Sequence, residues 1–173
     1  MARTTPWLFY QFFVLPNYLD FLAKPNDIRL GFNASVSAFQ QADIFYNFYK
    51  RHDLGHLSAW PNKTTLLVDL CKREPHFRTA QSIATVYKHL YALGGHYEIG
   101  SPMAMWGVTS PNGSGIELKW GEGVSERDVI IRRRDGTKSL LKEVLKSVVE
   151  SLWPKVLPEQ YRYCCKSPFA LMI

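Results

Sequence analysis

The feature that most constrains this chain is a pair of long stretches with helical period, separated by a polar, proline-marked link. Phe32, Val36, Phe39, Tyr46 and Tyr49 recur at three- and four-residue spacing, and Ala38, Ala42 and Phe45 widen the stripe. The period predicts an amphipathic helix over about 32–50. In the second stretch Pro75 suits a first helical position, and Gly94-Gly95 suits a stop. Between them Phe77, Ala80, Ala84 and Tyr87 form one apolar face, and Ile83, Val86, Leu90 and Leu93 another. A helix apolar on two sides belongs in the middle of a bundle.

The flanking segments fill in the rest. Residues 6–24 are aromatic and apolar and read as an extended arm broken at Pro16, followed by a short helix over 17–24. Residues 51–62 read as a loop, and 64–72 as a short helix carrying Leu66, Leu67, Leu70 and Cys71. Past Gly95 the period shortens. Met103–Val108, Ile116–Trp120 and Val129–Arg134 read as three strands of a small antiparallel sheet, the first two joined by a turn-rich link and the third ended by Asp135-Gly136. Thr137 suits the cap of a last helix over 139–153, with Leu141, Val144, Leu145, Val148 and Leu152 on its face and Pro154 after it. The expected fold is therefore α+β: mainly a helical bundle, with a three-stranded antiparallel sheet before its last helix. It forms a single domain over 1–173, with its helical core at about 17–93 and 139–153, its β insert at about 101–134, and a weakly structured tail over 155–173.

Composition bounds the function classes. Apolar residues make up 46 % of 173 and charged residues 21 %, ordinary globular usage and far from a disordered chain. The formal charge of +6 admits an anionic partner without requiring one. Three cysteines, two of them adjacent at Cys164 and Cys165, have no metal-ligand spacing, and reduced thiols are the simplest account. The apolar run from Trp7 to Leu15 is broken by Gln11 and falls far short of the roughly 20 residues of a membrane helix. No membrane association, no cofactor and no metal are expected, and a cytoplasmic location is.

Two clusters carry residues capable of chemistry. Arg51, His52, Asp53 and His56 lie close in sequence; the two histidines are four apart, and Arg51 precedes His56 by five. On a helix His52 and His56 would share a face with Asp53 nearby, although Gly55 weakens such a helix, and a polar loop is the simpler reading. The second cluster is Arg78, Lys88 and His89. Arg78 and His89 are separated by three helical turns, roughly 16 Å along the axis, so they cannot grip one phosphate from the same helix. A dimer could bring a partner's Arg78 to His89. Asp43 interrupts the apolar stripe of the first long helix, and a carboxylate there needs a donor or cation; His89 is the expected one, which would orient the imidazole and favour its charged form. Arg132 and Arg134 share one face of the third predicted strand and are expected to support an anion or to remain solvated, with Arg133 on the opposite face.

The stretches Phe32 to Asp43, Cys71 to Arg78 and Ile83 to His89, with the strand–Asp-Gly–helix unit that follows, resemble small uncharacterised bacterial proteins with a HEPN-like (higher eukaryotes and prokaryotes nucleotide-binding) helical core. The resemblance implies a helical bundle that is either a metal-independent ribonuclease of toxin or phage-defence systems or an inactive binding or dimerisation module. Active members carry an arginine five to seven residues before the catalytic histidine. With His89 in that place, Ser82, Ile83 and Ala84 occupy the arginine positions, while Arg51 and His56 have the spacing in another element. The resemblance thus implies a non-catalytic module binding RNA, a nucleotide or a protein partner. The alternatives are a nuclease using His89 or His56 as general acid/base, with Arg78, Arg51 or Lys88 stabilising phosphorane charge in a homodimeric cleft, and a protein-interaction scaffold working through its exposed N-terminal aromatic segment and sheet.

Overall fold

The computed structural model describes residues 5–89, 115–120, 127–133 and 135–157. The chain opens as a helix rather than an extended arm. Thr5 caps it by accepting the Leu8 N–H at 3.2 Å, and Pro6 takes the first position of α1 (Pro6–Phe9). A π-helical turn, Tyr10–Val14, leads without a break into α2 (Leu15–Ala23). Pro16 explains the π turn. Proline has no N–H, and its ring clashes with the carbonyl four residues back, so an ordinary α-helix is disrupted there. Widening the preceding turn lets the Leu15 N–H reach the Tyr10 carbonyl and carries the helix past the proline.

The same device recurs at the far end of the described chain. Here α6 (Leu141–Lys146), a π turn at Ser147–Leu152 and α7 (Trp153–Val156) form one continuous helix that passes Pro154 rather than stopping before it. The Trp153 N–H is taken by the Val148 carbonyl and Pro154 offers none, which leaves the Val149 carbonyl without a helical donor. The Tyr10 hydroxyl supplies that bond at 3.0 Å.

Between these lies α3 (Ile28–His52), capped by Asp27, which accepts the Arg29 and Leu30 N–H groups at 2.9 and 3.2 Å. It starts earlier and ends later than the periodic stripe because the cap lies upstream of the first apolar residue. A 3₁₀ turn at Leu54–Leu57 follows, so the segment expected to be a loop is partly helical. The helix α4 (Lys63–Arg73) opens on an Asn62–Thr65 capping box, and α5 (Pro75–His89) begins at the expected proline. The reading of α5 as far as Leu93 runs past the described residues.

Helix α3 packs against α2, α4, α5 and α6, and its stripe of Ala34, Ala38 and Ala42 is wholly buried. Small residues there admit large ones opposite: Trp153 is buried and donates its indole N–H to the Ala38 carbonyl at 3.0 Å. The Phe77 ring meets Trp153 edge-on at 5.9 Å and lies 6.0 Å from Phe39, tying α5 to both neighbours. Gly31 marks the tightest approach, since a Cβ there would stand 2.6 Å from Leu141 Cδ2.

The sheet is antiparallel in the order β1 (Gly115–Trp120), β2 (Arg127–Arg132), β3 (Lys138–Leu140), with Ile116 opposite Ile131 and Ile130 opposite Leu140. Among the described residues its third strand is one that was not expected. The reading of Met103–Val108 as a strand lies outside the described residues, and β3 forms from residues assigned to the approach to the last helix. Thr137 consequently caps no helix. It accepts the Arg133 N–H at its carbonyl and donates its N–H and hydroxyl to Asp135, closing a turn in which Gly136 adopts φ +84°. The helix starts directly from the strand, at Leu141.

Candidate functional site

The residues singled out in the sequence do not assemble into one centre among the described residues. Asp43 pairs with Lys63 of α4 at 3.1 Å; its expected pairing with His89 lies outside the described side chains. Asp43 lies on the edge of α3 that α4 covers, so a cation from the first turn of α4 reaches it. The backbone of Lys88 and His89 closes α5, and their side chains lie outside the described set. Arg78 is exposed on α5 and Arg51 is exposed at the end of α3. His56 sits in the 3₁₀ turn, where its ring stacks on Tyr49 with centroids 4.4 Å apart, and Nδ1 faces the Asp53 carboxylate at 3.7 Å. His52 packs on Phe48 instead, 4.8 Å between centroids, so the two histidines serve different neighbours. No group of three or more His, Cys, Asp or Glu side chains converges on a common point among the described residues.

Within the arginine run, Arg133 ties the sheet to the helices. Arg134 lies outside the described residues, and Arg132 is half-buried at the end of β2. The Arg133 guanidinium reaches the buried Thr79 hydroxyl of α5 at 3.1 and 3.2 Å, the Ser139 hydroxyl at 2.9 Å and Nδ1 of His76 at 3.5 Å. Strand parity carried the signal. Buried Val129 and Ile131 point toward the helices, and Arg133 is next on that face. Arg133 therefore acts as a bolt between sheet and bundle, with its donors committed to protein acceptors.

No protein-family model matches this chain, and neither does any curated protein or solved structure. Its own geometry carries the functional reading.

What the molecule does present is an unusual outer surface on the 6–23 helix. Val14, Tyr18 and Phe21 face the core, yet the outer side remains apolar: Phe12, Phe13 and Leu19 are each about half exposed, at 52, 53 and 52 %, and Leu22 is 39 % exposed. Phe13 stacks on Phe9 at 5.1 Å, which extends the aromatic surface toward the start of the helix. Beside Leu22 a groove of about 320 Å³ runs between this helix and α6, lined by Tyr18, Leu22, Lys142, Glu143, Lys146 and Glu150. The Tyr18 hydroxyl donates to Glu150 at 2.8 Å at its base. Burial, and then the bond to that carboxylate and its charge, push the Tyr18 phenol far above the ordinary tyrosine value. The groove thus sets Tyr18 and Leu22 of this helix against two lysines and two glutamates of the 141–156 helix. Among the described residues, no helix is long and apolar enough to cross a membrane.

Proposed function

We propose that this chain is a non-catalytic, HEPN-like helical module that docks a protein partner through the outer face of its 6–23 helix. The observation that carries the reading is the row of large apolar side chains left exposed on a helix whose inner face is already fully packed. Scattered apolar residues are normal on a surface, but several aromatic and aliphatic side chains adjoining one groove are a mark of an interaction site. RNA cleavage would need a general acid/base and a cation converging on one phosphate. The described candidates are dispersed: Asp43 is paired with Lys63, His56 is stacked on Tyr49, and Arg78 and Arg51 are on the surface. The bacterial cytosol is the setting that goes with the HEPN-like resemblance.

The test is incubation of the full chain, and of His56→Ala and His89→Ala variants, with varied single-stranded RNAs, followed by retention on RNA at rising salt. The expected result is neither turnover nor salt-sensitive retention. Turnover that disappears in either folded variant would install the nuclease reading. Affinity for RNA falling steeply with salt would replace the protein partner with a nucleic acid.

A further inference from the structure

We infer that the partner seated on this face is a second copy of the same chain, its 6–23 helix packed antiparallel to the first about a two-fold axis. This rests on the protein-docking reading above and names its occupant. Three observations lead to it. First, Leu15, Leu19 and Leu22 follow one another on α2 at spacings of four and three residues, the rhythm by which one helix seats its side chains between those of another, and Phe12 precedes them in the π turn. Leu15 is half-buried at the base of the row while the other three stand exposed. From Phe12 to Leu22 the row spans eleven residues, roughly 15 Å, which suits a short helix pair.

Second, the row is continuous with the groove beside α6 through Leu22, which belongs to both. A helix pair alone is too small for a stable contact, which requires on the order of 800 Å² from each partner. The groove walls supply further surface next to the row.

Third, the charges around this face match each other. Lys142 and Lys146 share the groove walls with Glu143 and Glu150, and the 6–23 helix adds exposed Asp20, with exposed Lys24 just past its end. Three bases stand against three acids on a chain whose overall formal charge is +6. A polyanion or a strongly acidic protein would meet as much repulsion here as attraction. A face carrying both signs can complement itself, because under a two-fold axis a base on one copy meets an acid on the other and the reverse contact follows by symmetry.

Sedimentation equilibrium of the full chain from low to high micromolar concentration tests this, alongside Phe12→Asp/Leu19→Asp. Both positions are about half exposed, so the double variant is expected to keep its circular dichroism spectrum, while its dimer dissociation constant rises about tenfold or more. A second pair guards the interpretation. Lys146→Glu and Glu143→Lys should each weaken self-association alone, and an equimolar mixture of the two should restore it as a heterodimer. A photo-crosslinking residue at position 13 should give an adduct of twice the chain mass. A chain that is monomeric throughout the range overturns the second-copy inference but not the protein-docking reading, which the RNA experiments decide. A dimer unchanged in Phe12→Asp/Leu19→Asp places self-association elsewhere and overturns it too. A crosslink confined to the chain's own mass gives the face to an intramolecular segment.

Discussion

Two seams join the parts of this molecule, and they are built on opposite principles. Where the 141–156 helix meets α3 and the 6–23 helix, the contact is made of large apolar rings set against small residues: Trp153 lies over the Ala34–Ala38–Ala42 stripe, and Leu141 closes on Gly31. Two polar groups taken into that seam are each paired with a carbonyl, the Trp153 indole N–H with that of Ala38 and the Tyr10 hydroxyl with that of Val149. Where the sheet meets the helices, buried Val129 and Ile131 are followed on the same face by the Arg133 guanidinium, which holds Ser139 of β3 and reaches Thr79 and His76 of α5. The first seam gains from area and close packing and should fail globally when cut. The second depends on directed bonds at a partly solvated edge and should fail locally.

The largest effect is expected at Trp153. Removing its buried side chain opens a cavity between α3, α5 and α7, and Trp153→Ala should cost about 3–5 kcal/mol. Urea denaturation followed by circular dichroism reads this as a lower midpoint. A loss below about 1 kcal/mol would mean the helical seam is not the stronger one. Tyr10→Phe is the finer cut. It keeps the ring and its stacking on Trp7 at 5.2 Å but leaves the Val149 carbonyl without a donor, at a cost of about 1–3 kcal/mol. Because Pro154 creates that deficit, Pro154→Ala in the Tyr10→Phe background should recover part of the loss by returning an N–H at position 154. No recovery would disconnect the hydroxyl from the proline.

How far these seams could be read in the sequence follows from what each uses. The central position of α5 was legible because its apolar residues occupy two faces, and Phe77, Ala80, Ile83, Ala84 and Val86 are all buried as that pattern requires. The 6–16 segment was not legible as helix, since Pro16 is ordinarily a stop and only a π turn, which leaves no compositional trace, carries the helix through it. The proline at 154 misled in the same way. Arg133 was legible in principle, by its parity with Val129 and Ile131. The arginine run drew attention to charge rather than to the face that each side chain occupies. The Asp43–Lys63 pair depends on where α4 lands on α3, a tertiary fact that no local spacing encodes. The exposed apolar row shows the converse limit: periodicity identifies apolar faces without saying which of them remain uncovered.

Arg133→Met sharpens the contrast between the seams. The methionine keeps most of the apolar stem but gives up the bonds to Thr79, Ser139 and His76, at a cost of about 1–2 kcal/mol. Hydrogen exchange should rise in β2 and β3 while α3 and the 141–156 helix keep their protection. Loosening spread evenly through the bundle would show that the sheet shares the cooperativity of the core, and the two-seam distinction would then collapse.

The smallest effect tests whether a charge on the rim contributes to the first seam by fixing where α3 begins. Desolvation works against the Asp27 carboxylate, but the N–H groups of Leu30 and Arg29 and the Arg29 guanidinium outweigh it and hold its pKa below the ordinary aspartate value. A carboxyl that is a stronger acid in the folded chain than in the unfolded one stabilises the fold above the unfolded value, about 3.9, and loses that contribution as pH falls through the folded value. Asp27→Ala should therefore cost about 1 kcal/mol near neutrality, and its gap to the parent should narrow on the acid side of pH 4. Asp135 is also held low, chiefly by the Thr137 hydroxyl and N–H, but it is present in both proteins and cancels in the difference. A gap that stays constant down to pH 2 would mean that Asp27 caps α3 by geometry alone, leaving the start of the helix to the Gly31–Leu141 contact.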